Sequence, residues 1–217
     1  MKLSIIISIA LSVFALLISG CAGKSMDAKN SGFFKEYKGF ESPNGYAAQK
    51  ASKDFDISKY KTVFVSPVKV ISSIPDAEQS PSQKRLYKEI SDYVRDGYKR
   101  EISKSGYMLV DTKGADTLVL ESAISAVEVH FDDEKWNQFS PIAMYVTVNS
   151  YNSYMDESVR ILGEKRILDS LSGEAVFESM EIIKDEKIIL SGESLEFENI
   201  KPALDRWIEQ VKNHFVK

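Results

Sequence analysis

The pattern of apolar and polar positions predicts one folded unit made of strands and two helices. The first strand is predicted at residues 61–70, where β-branched residues form an almost continuous apolar run. Because proline cannot donate to a strand ladder, Pro67 indicates a bulge or a change of partner inside that run. A helix is predicted from about Ser82 to a stop at Gly106. Its apolar stripe consists of Leu86, Ile90, Tyr93, Val94, Gly97 and Ile102.

Gly97 interrupts this otherwise apolar helical stripe. A glycine there costs about 1 kcal/mol of helix propensity relative to alanine, so we interpret it as a point where the helix closely approaches the sheet. Extended segments follow at residues 107–110 and 117–129, with a polar turn between them. The strand, the helix and the following strand predict a β-α-β crossover, which we expect to be right-handed.

The second half of the chain predicts mainly antiparallel strands. Residues 142–148 indicate a strand, with a short helix as the alternative. Residues 160–168 and 175–183 predict a hairpin, because the turn between them has Asp and Ser side chains that can cap backbone N–H groups and a glycine, Gly173, that can take a positive φ. A further tight turn precedes a short strand at residues 188–190.

A closing helix is predicted from a cap near Asn199, with Pro202 in its first turn, where a missing N–H costs nothing. Its apolar stripe consists of Ile200, Leu204, Trp207, Ile208, Val211 and Phe215. The order of elements predicts an α+β fold: one twisted, mixed, mainly antiparallel sheet with a β-α-β crossover at its start and two helices packed on it.

The amino-terminal residues predict a secretory signal peptide. A short basic start is followed by apolar residues 3–17, and then the small residues Ser19 and Gly20 precede Cys21, the only cysteine of the sequence. The alternative is an uncleaved membrane-spanning helix, since residues 3–20 just reach the length that crosses a hydrocarbon core. A plain spanning helix has no reason to place the only cysteine there, which favours the signal peptide.

Residues 17–21, Leu-Ile-Ser-Gly-Cys, resemble the lipobox of bacterial lipoproteins. The resemblance implies cleavage before Cys21, a diacylglyceryl group on its thiol and acylation of the new amino terminus. Each buried methylene contributes about 0.8 kcal/mol and stable anchoring takes two lipid signals, so two or three chains would hold the protein on the bilayer permanently. By resemblance to enterobacterial sorting rules, Ala22 favours the outer membrane, with the domain facing the periplasm.

Composition limits the remaining possibilities. Removal of residues 1–20 leaves 197 residues, enough for one domain with its own core, and 43% hydrophobic and 28% charged residues are typical of a globular protein. A single cysteine forms no intramolecular disulfide, and its acylation would exclude thiol-based catalysis. The net charge of -4 opposes binding to phosphate backbones, so nucleic acid is not an expected partner.

We divide the chain into three parts. Residues 1–20 are the signal peptide, residues 21–57 comprise the acylated cysteine, a flexible tether and a surface clip, and residues 58–217 form a single α+β domain. The tether at residues 22–32 would have an end-to-end distance of roughly 18 Å. Four aromatic residues follow it: Phe33, Phe34, Tyr37 and Phe40. They would either pack on the domain as the clip or form a patch for the membrane or a partner.

Six short landmarks then occur in a characteristic order. They lie at residues 32–37, 65–68, 106–111, 115–124, 168–174 and 204–207. Together they resemble the small bacterial envelope lipoproteins that share a domain of unknown function, DUF3313. The resemblance extends from about Ser31 to the carboxyl terminus, and residues 131–157 depart from it, with Tyr and Asn where small apolar residues are commoner. It implies no activity, because the family has none assigned.

Residues with catalytic or metal-binding chemistry are few. His130 lies beside Asp132, Asp133 and Glu134, which together could hold a divalent ion, although adjacent carboxylates in a loop are usually only solvated. His214 lies next to the apolar stripe of the last helix, and we interpret it as a boundary residue. The sequence contains no nucleophile elbow, phosphate-binding loop or zinc-protease motif. We therefore expect no enzymatic activity, no cofactor and no metal site.

The candidate ligand-binding residues are aromatic and lie among asparagines: Trp136, Phe139, Tyr145, Tyr151 and Tyr154. Aromatic rings and amides together can stack on and hydrogen-bond a sugar or a peptide strand. The alternative is that this segment packs as a loop over the sheet. Interleaved charges on the helix from Ser82 indicate a solvated face rather than a surface for anionic lipid or glycan.

Two functional hypotheses follow. The favoured one is a lipid-anchored lipoprotein of the cell envelope with a non-catalytic structural or protein-interaction role, whose domain meets a periplasmic or outer-membrane protein. The alternative is a binding module for an envelope glycan or small molecule through the aromatic residues between Trp136 and Tyr154. An enzyme ranks third.

Overall fold

The computed structural model describes residues 31–41, 47–53, 55–72, 74–130, 158–184 and 196–215. The strands in these residues are β1 (Ala47–Ala51), β2 (Thr62–Val65), β3 (Lys69–Val70), β4 (Met108–Leu109), β5 (Thr117–His130), β6 (Ser158–Asp169) and β7 (Ala175–Lys184). The helices are α1 (Pro81–Lys104) and α2 (Phe197–Gln210), with short 3₁₀ turns at Ile57–Lys59 and Val211–His214.

These strands form one sheet in the order β1-β7-β6-β5-β2-β4, and β3 pairs with β5. β2 is parallel to both β4 and β5, and the connection to β4 runs through α1. The remaining neighbours, β5 with β6, β6 with β7 and β7 with β1, are antiparallel. The predicted α+β class, with its crossover and its mainly antiparallel sheet, is confirmed.

The predicted first strand is interrupted where proline indicates a break. β2 ends at Val65 opposite Leu120, and β3 begins at Lys69 opposite Ala123. Four steps along the first strand therefore correspond to three along β5, so the break around Pro67 holds one extra residue. This is the geometry of a bulge, and it lets both segments pair with the same neighbour.

The hairpin between β6 and β7 follows the predicted turn chemistry. Gly173 has a φ of 69°, and the Asp169 carboxylate accepts hydrogen bonds from the backbone N–H groups of Leu171 and Ser172 at 2.9 and 2.7 Å. These hydrogen bonds lower the pKa of Asp169, and the one from the Ser172 N–H has the largest effect. The turn is thus fixed by side-chain capping and by a glycine in the left-handed region.

The outer edges of the described sheet are short or covered. β4 has two residues, and β1 has five. At β1, Glu41 and Gln49 exchange two backbone hydrogen bonds of 2.9 Å, which places Glu41 beside the strand. The backbone groups of this edge are therefore satisfied in part by the chain that precedes it.

Both helices begin with a capping box. At α1 the Ser80 hydroxyl accepts from the Gln83 N–H, and the Gln83 side chain accepts from the Ser80 N–H. At α2 the Asn199 side chain accepts from the Glu196 N–H at 2.8 Å, so the helix begins two residues before the predicted cap. Pro202 consequently lies inside α2 and not in its first turn. In this position the missing N–H removes one intrahelical hydrogen bond.

Both helices cover the same face of the sheet and enclose the main core. Trp207 of α2 and Tyr98 of α1 are fully buried there, with their rings 5.4 Å apart in a T-shaped arrangement. Tyr107 and Phe215 make a similar contact at 5.6 Å. None of the helices in the described residues combines the length and the apolarity needed to cross a bilayer.

The close approach at Gly97 is made to α2, not to the sheet as predicted. A Cβ atom on Gly97 would lie 2.6 Å from Cδ1 and 2.8 Å from Cγ2 of Ile208. The glycine therefore lets the two helices pack side by side. Its cost in helix propensity is offset by this helix–helix contact.

We expect Gly97→Ala to destabilise the protein by about 1–2 kcal/mol in urea denaturation. The gain of about 1 kcal/mol in helix propensity is outweighed by overpacking against Ile208. In an Ile208→Ala background the clash is gone, so the same substitution should be neutral or stabilising. A stabilising effect of Gly97→Ala in the wild-type background would contradict the described contact.

Two predicted strands, at residues 142–148 and 188–190, lie outside the described residues. The predicted division of the chain before residue 58 stays a prediction. The structure adds that residues ahead of it contribute β1, which pairs with β7 from Ala47 opposite Glu181 to Ala51 opposite Phe177.

Candidate functional site

The two faces of the sheet carry different side chains, and β6 shows the division most clearly. Gly163 and Lys165 point toward the helices, which we call the helix face, while Glu164 and Arg166 point to the opposite side. That opposite side is covered by residues 31–41, which we call the strap, and we call it the strap face. Three consecutive charged residues are thus distributed over both faces by the period of two of a strand.

The strap packs aromatic rings on the strap face. Phe33 and Phe34 are buried, with their ring centroids 5.0 Å apart, and they belong to a cluster with Ala48, Ala123 and Met180. This cluster is separate from the main core on the helix face. The aromatic spacing of the sequence therefore corresponds to a segment that is packed on the sheet.

A buried carboxyl group lies under the strap. Glu164 has no exposed surface and pairs in register with Ala123 on one side and Met180 on the other. Its Oε2 accepts hydrogen bonds from the Ser31 hydroxyl at 2.8 Å and the Tyr37 hydroxyl at 3.0 Å. Burial raises the pKa of Glu164 against the opposing effect of its hydrogen bonds, and burial also raises the pKa of Tyr37.

Arg166 holds the backbone of the strap from the next position on the same face. Its Nη1 donates to the Phe33 carbonyl at 3.0 Å, and its guanidinium lies 4.9 Å from the centroid of the Phe33 ring. The guanidinium also binds the Glu121 carboxylate through Nε and Nη2 at 2.8 and 2.6 Å. These two hydrogen bonds to Glu121 fix the orientation of the guanidinium group, so that Nη1 faces the backbone of the strap.

The helix face encloses a second charged group. Lys165 is 1% exposed, and its Nζ lies 3.0 Å from Oε2 of Glu181 and 5.7 Å from the centroid of the Trp207 ring. Burial alone would raise the pKa of Glu181, but the charge of Lys165 and the contact with His214 lower it to about 2. Lys165 is fully covered, so this pair is part of the core and is not open to a substrate.

His214 completes this group from the 3₁₀ turn after α2. Its Nε2 lies 3.6 Å from Oε1 of Glu181, and its ring lies 4.5 Å from that of Phe177. Burial lowers the pKa of His214, and the Glu181 carboxylate opposes that shift. The imidazole is therefore neutral at pH 7. The structure places His214 against the sheet, at the edge of the main core.

Several charged side chains of α1 form ion pairs within the helix. Lys88 and Asp92 form an ion pair one turn apart, and Lys104 contacts Glu101 at 2.8 Å. Tyr93 donates to Asp205 of α2, which links the two helices at their surface. Interleaved signs of this kind are typical of a solvated helix face.

Most of the predicted site residues lie outside the described residues. They are Cys21, Trp136, Phe139, Tyr145, Tyr151 and Tyr154. His130 ends β5, and the carboxylates that follow it lie beyond the described part. Within the described residues no three His, Cys, Asp or Glu side chains are grouped in a way that could hold a metal ion. Lipidation and ligand binding by these residues stay predictions.

The residues that fasten the strap were missed by the sequence analysis. The available signal was the triplet Glu164-Lys165-Arg166, three charged residues inside an apolar run that is otherwise typical of a buried strand. Charged residues in such a place are seldom buried unless they are paired. The pattern indicated buried ion pairs without indicating their partners.

Comparison with known proteins gives one family match and several distant structural ones. The model of a family described as protein of unknown function (DUF3313) matches residues 29–211. No curated protein sequence matches the chain. Similar solved structures include the PelC dodecamer from Paraburkholderia phytofirmans, at 9% identity and a TM-score of 0.38 over 75% of this chain and 96% of that one.

Two further solved structures have the same level of similarity. Lipoprotein GNA1162 from Neisseria meningitidis is 13% identical with a TM-score of 0.36, over 70% of this chain and 96% of that one. Protein XCC0632 of the DUF330 family from Xanthomonas campestris is 11% identical with a TM-score of 0.41, over 76% and 89%.

Proposed function

Since the chain belongs to the DUF3313 family of proteins of unknown function, we propose that it is a lipid-anchored lipoprotein of the bacterial cell envelope. Its domain has a non-catalytic role as a structural component or as a binding partner of another envelope protein. The anchor is the acylated Cys21, the membrane is the outer membrane, and the domain faces the periplasm.

One observation carries this proposal. Ser31, ten residues after Cys21, is hydrogen-bonded to Glu164 in the middle of the sheet. A chain of ten residues spans at most about 35 Å. Lipid at Cys21 would therefore hold the strap face of the domain within that distance of the headgroups, where a partner in or on the same membrane is within reach.

The contacts of the buried charged side chains support a non-catalytic role. Lys165 is enclosed in the core with Glu181, and Glu164 is covered by the strap that it binds. In both groups the charged atoms satisfy each other or hold chain segments together, which leaves neither group open to bind and convert a small molecule.

The anchor is tested on the native protein by mass spectrometry and cell fractionation. We expect a mature chain that starts at Cys21, carries diacylglyceryl and amide-linked acyl mass, and is found wholly in the membrane fraction. Cys21→Ala should carry no lipid and lose the mature membrane-bound form. Ser19→Ala keeps a small residue before the cysteine and should behave like the wild type. An unmodified thiol at Cys21 in the native protein would contradict the proposal.

The partner is tested by photo-crosslinking in intact cells. Among the described residues, the exposed large hydrophobic side chains are Met108 and Leu171, at 64% and 74%. Because neither side chain is part of the core, a photoreactive residue at either position should leave the fold intact. A crosslink to one envelope protein at one of these positions, absent at the other, would support an interaction role. Absence of any protein adduct at either position, with the anchor in place, would count against it.

A further inference from the structure

The strap is fastened to the domain independently of the main core. Its side-chain polar contacts run from Ser31 and Tyr37 to Glu164 and from the Phe33 carbonyl to Arg166. At its end, the Glu41 backbone exchanges two hydrogen bonds with Gln49 of β1. Its apolar contacts belong to the smaller cluster on the strap face, whereas α1 and α2 pack on the other side of the sheet. Removal of the strap would therefore leave the helix-covered core untouched.

The strap also fixes the length of chain between the proposed lipid and the sheet. With the strap in place, Ser31 is the described residue nearest to Cys21 in the sequence that contacts the sheet. Without the strap, that residue is Ala47 at the start of β1. The maximal reach then rises from about 35 Å to about 90 Å at 3.5 Å per residue.

We propose that residues 31–41 are a releasable strap, that the carboxyl group of Glu164 is its proton-sensitive clasp, and that release lets the domain move away from the membrane while uncovering the strap face. The gain in reach rests on the proposed lipid anchor. The release itself does not.

The surroundings of Glu164 account for the proton sensitivity. Its neighbours in register, Ala123 and Met180, are apolar. Hydrogen bonds from hydroxyl groups, including that of the buried Ser125, lower the pKa of Glu164 by less than burial raises it. When the strap is closed, an ionised Glu164 carboxylate is kept out of water, and this desolvation costs free energy. When the strap is open, water solvates the carboxylate and the cost disappears.

Charged side chains on the neighbouring strands of this face form two ion pairs. On β5 and β6 these are Glu121 and Arg166, which bind each other, and on β1 and β7 they are Lys50 and Glu178, whose charged atoms are 3.8 Å apart. From the strap, Tyr37 reaches the carboxyl group directly. The other charged side chains of the strap and of β3 are exposed: Lys35, Glu36, Lys38, Glu41 and Lys69. The described partners of the Glu164 carboxyl group are hydroxyl groups and not a cation.

The pH dependence of strap opening follows from the raised pKa of Glu164: the closed state binds the proton of this carboxyl group more tightly than the open state does. The closed strap is favoured below the pKa of an exposed glutamate, 4.5, and this preference is lost as pH rises from 4.5 through the raised pKa of Glu164. Above that pKa the opening equilibrium is constant. The opening constant should rise about tenfold for each pH unit by which burial raises the pKa.

The test is hydrogen–deuterium exchange of the full-length protein in detergent micelles between pH 4.5 and 8, corrected at each pH for the intrinsic exchange rate. We expect the corrected exchange of residues 33–40 to accelerate with pH and then level off, while α1 and α2 stay protected. Glu164→Gln, which is neutral at every pH, should remove the acceleration. Glu178→Gln, on the same face, should leave it unchanged.

Tyr37→Phe provides a second test, which does not depend on the glutamine variant folding normally. Loss of one donor to the clasp should open the strap at every pH without changing the protection of the helices. Three results would overturn the proposal: strap exchange in the wild type that does not change with pH, exchange of strap and helices as one unit, or a wild-type pH response in Glu164→Gln.

The same sample separates this proposal from the proposed anchor. Mass spectrometry of the protein used for exchange reports the lipid on Cys21 directly. A strap that opens with pH on an unacylated chain would leave the release standing and remove the anchor. An acylated chain whose strap opens only when the whole protein unfolds would support the anchor and contradict the release.

Discussion

Lys165→Met is expected to lower the free energy of unfolding by about 3 kcal/mol at pH 7. The substitution keeps the side-chain volume but leaves the Glu181 carboxylate, only 12% exposed, without the cation 3.0 Å away. Breaking a buried ion pair by removing one partner typically costs about 3–5 kcal/mol, and the residual exposure of Glu181 favours the lower end. Urea denaturation of the full-length protein measures the loss.

Two controls isolate the buried pair. Lys165→Met combined with Glu181→Met removes both charges and should recover most of the lost stability. Lys201→Met breaks the exposed pair with Asp205 and should cost less than about 1 kcal/mol. Equal effects of Lys165→Met and Lys201→Met would show that the enclosed pair has no special cost.

The pH dependence of the Lys165→Met effect gives a further check. In the wild type the pKa of Glu181 is lowered from 4.5 to about 2, so the pair stabilises the fold above pH 4.5 and this contribution is lost as pH falls toward 2. The difference between wild type and variant should therefore shrink over the same interval. A difference that grows on acidification would contradict the described pair.

Gly163→Ala is expected to cost about 3 kcal/mol, although alanine is ordinarily the better residue in a strand interior. A Cβ atom on Gly163 would lie 2.4 Å from Cε2 and 2.6 Å from Nε1 of Trp207. The indole is rigid and fully buried, so the added methyl group can be accommodated only by displacing a large core side chain. Thermal unfolding should show a correspondingly lower midpoint.

The companion substitution Trp207→Phe tests the cause. A smaller ring leaves room for the methyl group, so the double variant should be more stable than the sum of the two single losses predicts. Gly114→Ala is the matched control, because the nearest atom to its added Cβ, Thr117 Oγ1, lies 3.3 Å away. Its effect should stay within about 1 kcal/mol. Strict additivity of Gly163→Ala and Trp207→Phe would rule out the contact as the cause.

The elements that could be predicted from the sequence are those whose signals are local. The hairpin turn at Asp169 and Gly173 and the interruption at Pro67 depend on backbone chemistry within a few residues, and both are found where the sequence indicates them. The N-cap of α2 is Glu196, three residues before the predicted Asn199, because Asn199 caps the helix from its third position.

What could not be predicted depends on which elements cover each other. The stripe around Gly97 indicates a close approach, but periodicity does not say whether a helix or a sheet lies opposite, and α2 does. The period of two assigns Glu164 and Lys165 to opposite faces of a strand. It does not say that Ser31, 133 positions away, returns to one of them. Those contacts are set by tertiary packing.

The edges of the sheet have a consequence for crowding on a membrane surface. Proteins confined to two dimensions collide with copies of themselves often, and an open strand edge invites stacking into filaments. Among the described strands one edge ends in the two-residue β4, and the other is partly occupied by Glu41 beside β1. Such a rim offers little backbone for the sheet of another copy to join, so molecules anchored as proposed would not stack edge to edge through these described strands.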